Sequence, residues 1–168
     1  DRASRIPDAP LIARRELLSD GTRGEWQRHS FADIVTKARN LAQALLDMKI
    51  ESHRSIMALS GASAQHLVVS LAAQMARIPY APVSVNYSTA GGSYARLHHL
   101  AAVCQPQIVY ADDWQQFLPA MRAIASVHTI IPITDEAAPE GETVSLGDLL
   151  ETPAGEAVAQ SLAAITPD

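Results

Sequence analysis

The stretch MALSGASAQH, Met57–His66, decides how the chain is read. An apolar run stops at Ser60–Gly61, and residues with helical spacing follow from Ser63. A crest of this kind can cradle a phosphate, carry a nucleophilic serine, or simply turn a strand into a helix. A nucleophile elbow needs G-x-S-x-G. Gly61, Ala62 and Ser63 fit it, but Gln65 stands where the second glycine should let helix and strand approach. His66 lies on the same helix as Ser63, whereas a triad base normally comes from another element. A phosphate loop needs further glycines and a lysine, and Gly61 has neither after it. A helix N-terminus still offers free N–H groups to an anion. The plain reading is that Gly61 permits the turn and Ser63 caps the helix.

Working outward, the same alternation recurs. Arg54–Ser60 reads as a buried strand and Ser63–Arg77 as a helix with Leu67, Leu71 and Met75 in register. Strands are expected at Tyr80–Val85, Gln107–Ala111 and Val127–Ile133. Between them, Leu97, Leu100, Ala101 and Cys104 mark one helical stripe, and Trp114, Phe117, Leu118 and Met121 another. Upstream, Ser30 is a good N-cap for an amphipathic helix whose apolar face runs from Phe31 and Ile34 to Leu45 and Leu46. Residues 10–18 and 24–29 read as a hairpin around SDGTRG, with Gly21 and Gly24 supplying positive φ. Downstream come a polar loop over 134–145, a helical turn over 145–151 and a last helix over 154–164. Strands alternating with helices predict an α/β fold: a parallel sheet flanked by helices, preceded by a short N-terminal hairpin. The expected division is 1–29 hairpin, 30–133 parallel-sheet subdomain, and 134–168 loop and C-terminal helix. Pro82 inside the second strand predicts a sheet edge or a bulge.

Bulk properties narrow the function classes. A chain of 168 residues suits one domain. At this size roughly 70% of the unfolded surface can be buried. Apolar residues make up 48% and charged residues 18%, which argues against disorder. The net charge of -5 and scattered arginines offer no basic stripe for nucleic acid. No run of about 18 apolar residues suggests a membrane span. The single cysteine, Cys104, excludes an internal disulfide and fits a reducing, cytoplasmic setting. It reads as a small residue on an apolar stripe. Six histidines show no H-x-x-x-H spacing, so no metal site is expected. Asp112, Asp113, Glu140 and Glu142 read as solvated loop carboxylates. Lys37 lies on a polar helix face, and Lys49 sits in a last turn, complementing the helix dipole.

One segment suggests a pocket. PYAPVSVNYST, Pro79–Thr89, brings Asn86, Tyr87 and Ser88 to a strand end, and Ser60 and Gly61 end the neighbouring strand. Ligands of open α/β sheets bind at carboxyl ends of strands. These five residues are the candidate pocket edge, against the alternative that the polar trio merely caps the next helix.

Taken in order, the segments form a pattern. They are W-x-x-x-S-F-A-D-I from Trp26, A-R-N-L-A-Q-A-L-L from Ala38, A-L-S-G-A-S-A-Q-H from Ala58, I-P-Y-A-P-V-S-V-N-Y-S from Ile78, R-L-H-H-L from Arg96 and the closing A-I-T-P-D. Together they resemble the N-terminal part of adenylate-forming acyl-CoA synthetases. The likeness is greatest to feruloyl-CoA synthetases and similar aryl-acid ligases. The resemblance implies the first α/β subdomain of an enzyme that activates a carboxylic acid with ATP and Mg²⁺ and then transfers it to coenzyme A. It also implies that the family's Ser/Thr/Gly-rich phosphate loop follows shortly after Asp168, and that the catalytic lysine belongs to a C-terminal domain. No catalytic residue, cofactor contact or metal ligand is therefore carried over to this chain. Its expected partners are the remainder of its own large domain and that C-terminal domain. The chain departs from the family where Ala62 replaces a frequent asparagine and where Val85–Asn86 replace a frequent Pro-Ala. Two other classes remain as alternatives: a free-standing, non-enzymatic α/β binding module, and a hydrolase using Ser63.

Overall fold

A computed structural model of the chain describes residues 2–18, 20–89 and 93–166. Ser19 in the expected turn, the side chain of Glu140 and the closing Pro167–Asp168 lie outside the described residues. The chain opens with a single turn of helix, α1 (Arg2–Arg5), which the sequence pattern does not announce. An antiparallel ribbon follows, β1 (Pro10–Leu17) and β2 (Arg23–Ser30). Its turn is closed by Asp20, whose Oδ1 accepts from the Thr22 N–H at 2.9 Å and the Thr22 hydroxyl at 2.6 Å. Gly21 takes φ 81°, a conformation that favours glycine. Gly24 does not share it and lies within β2, at the irregularity between the Leu17–Arg23 and Arg15–Trp26 pairs.

The main body alternates strand and helix. In chain order it contains α2 (Phe31–Asp47), β3 (Ser55–Ala58), α3 (Ala64–Met75), β4 (Tyr80–Pro82), α4 (Val85–Thr89), α5 (Ala95–Cys104), β5 (Pro106–Ala111), α6 (Trp114–Ala125), β6 (Ile131–Thr134), β7 (Val144–Ser145), α7 (Leu146–Leu150) and α8 (Glu156–Ala163). The five strands form one parallel sheet in the order β4-β3-β5-β6-β7. Pro82 therefore lies on an edge strand, where its missing N–H is tolerated.

Both faces of the sheet are covered, as a parallel sheet requires. Ile56 and Ala58 on β3, with Ile108 and Tyr110 on β5, face α2 and α3 in one cluster. Their strand neighbours Met57, Leu59, Val109 and Ala111 face α5 and α6 in the other. The period-two alternation of a strand thus divides a continuous apolar run between two cores. The cap of α2 is Ser30, whose Oγ accepts from the Asp33 N–H at 3.1 Å. Its carboxyl-terminal half binds the end of the chain. Asn40 Nδ2 donates to the Leu150 carbonyl, and its Oδ1 accepts from the Ala154 N–H. Gln43 Oε1 accepts from the Gly155 N–H. These contacts lay α8 beside α2.

Several boundaries differ from the sequence pattern. Strand β4 stops at Pro82, and Val85–Thr89 coil into α4 instead of extending the strand. Strand β6 begins at Ile131, because the N–H groups of Val127 and His128 still bond back to the Ile124 carbonyl at the end of α6. The polar loop expected over 134–145 contains β7. It is braced by the buried hydroxyls of Thr134 and Thr143, 2.7 Å apart, the latter also accepting from the Ala138 N–H. Lys49 lies one residue past the cap of α2 with φ 53°, not in its last turn. Cys104 is half-buried, not fully enclosed.

Candidate functional site

The crest at Ser60–Gly61 leaves the sheet at the carboxyl end of β3, and its side chains are engaged locally. Ser63 caps α3, its Oγ accepting from the His66 N–H at 2.9 Å. The His66 ring turns away from Ser63 and lies between two hydroxyls: Ser60 Oγ at 2.6 Å from Nδ1 and Tyr80 Oη at 3.2 Å from Nε2. Burial pushes the His66 imidazole below its usual range, while the charge of Asp112 pulls the other way. The neutral ring therefore accepts from one hydroxyl and donates to the other, tying the crest to the edge strand. Burial also raises the Tyr80 phenol, so it stays protonated.

Next to this lies a pair of carboxylates from the loops after β5 and β6. The register pairs Ala111 with Thr134, so Asp112 and Asp135 leave adjacent strands at the same level. Asp112 Oδ2 accepts from the Gly61 N–H at 3.2 Å. Asp135 Oδ1 accepts from the fully buried Tyr110 hydroxyl at 2.7 Å. Burial raises both acids, Asp135 to about 6, and each charge further raises the pKa of the Tyr110 phenol between them. Asp112 is thus a half-buried acceptor and not a solvated loop group. Its neighbour Asp113 caps α6, accepting from the Gln115 and Gln116 N–H groups. Glu142 is held by Arg122, with Nε 2.8 Å from Oε2.

The remaining candidates sit on α4. Asn86 is exposed, and Tyr87 lines a groove of about 370 Å³ with Ala95, Arg96, His99 and Leu100. The Arg96 guanidinium lies 5.5 Å over the Tyr87 ring. Ser88 is 1% exposed, and its Oγ has no hydrogen-bond partner among the described residues. The hydrogen bonds of Ser60 and Gly61 run to His66 and Asp112, and the contacts of Tyr87 run to α5. The five candidates thus work in two different settings.

Chemically, the crest suits neither of the sharper possibilities. Ser60, not Ser63, meets the histidine, and the Gly61 N–H that could stabilise an oxyanion is taken by a carboxylate. A triphosphate fits no better. To reach the Gly61 N–H it would have to displace the Asp112 carboxylate, and Asp135 stands nearby as a second acid. Among the described residues no group of three or more His, Cys, Asp or Glu could hold a metal ion. No helix among them is long and apolar enough to cross a membrane. Sequence reasoning missed the Asp112–Asp135 pair. The available signal was that two predicted strands, Gln107–Ala111 and Val127–Ile133, are each followed within two residues by an aspartate.

Comparisons agree on the fold. A family profile described as AMP-binding enzyme matches residues 1–166. The coronafacic acid ligase of Pectobacterium brasiliense, in a mutant form, superposes with a TM-score of 0.69 at 13% identity over 91% of this chain and 28% of that one. A luciferase-like enzyme from the nonluminescent mealworm Zophobas morio gives 0.63 at 12% identity, covering 84% of this chain and 30% of that one. A benzoate CoA ligase from Burkholderia xenovorans gives 0.59 at 16% identity, covering 76% and 24%. The chain thus spans less than a third of the length of these structures. No curated protein sequence matches it.

Proposed function

The chain belongs to the AMP-binding enzyme family, and from that premise we propose that it is the first α/β portion of an ATP-dependent acid–CoA ligase. The observation that carries this reading is the family match along residues 1–166, on a fold that fills only about a quarter of ligase structures. In this reading the full-length enzyme uses ATP, Mg²⁺ and coenzyme A in the cytoplasm. It joins an aryl acid of the feruloyl type to coenzyme A through an acyl-adenylate. This portion supplies a wall and no reacting group. Lys37 is held in an ion pair with Asp33 at 2.9 Å on the surface of α2, and Lys49 follows the end of the same helix. Lys37 is thus already engaged by Asp33, and Lys49 lies at the far end of α2 from the carboxyl edge of the sheet, where adenylation would need a cation. The edge itself presents Asp112 and Asp135. The partner that completes the site is the rest of the polypeptide.

Calorimetric titration of the 168-residue chain with Mg-ATP tests this division of labour. No heat of binding is expected. Micromolar binding, on the order of 8 kcal/mol, would place the nucleotide site inside this portion and overturn the reading.

A further inference from the structure

At the opposite edge of the sheet from Asp112 and Asp135 lies a groove of about 650 Å³. It runs between the carboxyl-terminal ends of α2 and α3 and one face of α8. Its volume falls within the range of roughly 300–1,000 Å³ typical of small-molecule sites. Leu46, Ile50, Ile78 and Pro79 make it apolar, and Arg54 and Arg77 make it cationic.

Both arginines are unusual. Arg54 is fixed by Nη2, which donates to the Pro106 carbonyl at 2.7 Å and the Thr129 carbonyl at 3.1 Å. Its Nε is buried and meets no acceptor among the described residues. The two carbonyls hold the guanidinium in one place, so it meets an anion as a fixed charge with little conformational freedom left to lose. Arg77 occupies the position after the α3 cap with φ 60°. The Arg77 and Ile78 N–H groups bond back to the Gln74 and Ala73 carbonyls, the closing pattern that normally calls for glycine. An arginine there accepts backbone strain in exchange for a charge at the mouth of the groove. The helix ends and Glu51 together offset much of the two guanidinium charges, so an anion is held here by direct contact with the arginines and not by the net charge of the groove. Glu51, also on the wall, is drawn towards His53, 3.4 Å away. Across the groove, Ser161 adds a hydroxyl donor from α8.

We infer that this groove binds a small amphiphilic anion, an acidic head against Arg54 and Arg77 with a short apolar tail along Leu46, Ile50 and Ile78. The site needs no adenylation chemistry, so its failure would leave the ligase reading intact, and the reverse. The probe is hexyl phosphate, followed by amide NMR of the whole chain, with hexanoate as a second anion and hexanol as the neutral control. Saturable shifts are expected at Ser52, Ile78 and Ser161 with both anions and not with hexanol. Arg77→Gly relieves the backbone and keeps the fold, so it should weaken hexyl phosphate by about tenfold or more. Ser161→Glu, which sets a carboxylate across the groove, should do the same. Shifts that never saturate, equal binding of hexanol, or unchanged affinity in Arg77→Gly would each overturn the assignment.

Discussion

Replacing Asp135 by asparagine should stabilise the protein at neutral pH and change nothing in acid. The carboxyl receives the Tyr110 hydroxyl at 2.7 Å and faces Asp112 and Glu136. Burial is the largest influence on it, and its pKa rises from an ordinary 3.8 to about 6. A folded-state pKa above the unfolded one means that folding favours the protonated acid. That preference contributes fully below 3.8 and is lost as the pH rises through about 6. A rise of roughly two pH units, at about 1.4 kcal/mol each, sets a ceiling of about 3 kcal/mol on the cost of the ionised form. Asparagine keeps an acceptor for Tyr110 and carries no charge, and solvent screens part of the cost at this half-buried position, so Asp135→Asn should gain about 1 kcal/mol near neutrality. His66 has a lowered pKa, so its contribution runs in the opposite sense, present above its ordinary 6.5 and lost in acid. It is common to both proteins and cancels in the difference. Urea unfolding at about pH 4 and about pH 7.5, read as midpoints at constant m, measures the effect. A variant equal to or less stable than the parent at the higher pH would refute the claim that Asp135 is held ionised at a cost.

Other expectations follow from single contacts. Thr143→Val removes the hydroxyl shared by Thr134 and the Ala138 N–H, and should cost about 1–3 kcal/mol in denaturant unfolding. Lys49→Gly relieves a left-handed backbone and should raise stability by up to about 1 kcal/mol, seen as a higher thermal midpoint. Ser63→Ala deletes the cap of α3 and should cost about 1 kcal/mol. It should leave any background ester hydrolysis unchanged, and a lost esterase rate would restore the hydrolase.

The alternation of strands and helices was legible because the central strands β3 and β5 are largely apolar runs and each long helix carries an apolar stripe. Ser30 and Ser63 announced their caps through side chains that act within three residues. What escaped notice depends on neighbours distant in sequence. Asp112 and Asp135 look like ordinary loop acids until β5 and β6 lie side by side. The Ser60–His66–Tyr80 chain needs β4 to pair with β3. Segment 127–130 has strand composition, yet Val127 and His128 still bond back to the Ile124 carbonyl, so pairing in β6 begins only at Ile131. The glycine rule also had limits. Gly24 needs no special backbone, whereas Lys49 and Arg77 adopt one without being glycine.

The chemistry of the carboxyl edge bears on how the family fold is used here. Open α/β sheets put ligands at this edge because strand ends and helix N-termini converge there. In this chain the convergence is already consumed. Ser63 Oγ takes the His66 N–H, Asp112 takes the Gly61 N–H, and Ser60 and Tyr80 hold the imidazole. An edge whose N–H donors are internally satisfied, and which presents two carboxylates, offers phosphate little to bind. It can still meet a cationic or hydrogen-bond-donating surface, since Asp112 and Asp135 each retain acceptor capacity beyond their single bonds. Burial raises the pKa of both acids, and neighbouring carboxylates raise it further. A donor surface brought against the edge by the rest of an acid–CoA ligase would lower both, so docking and carboxylate ionisation should be thermodynamically linked.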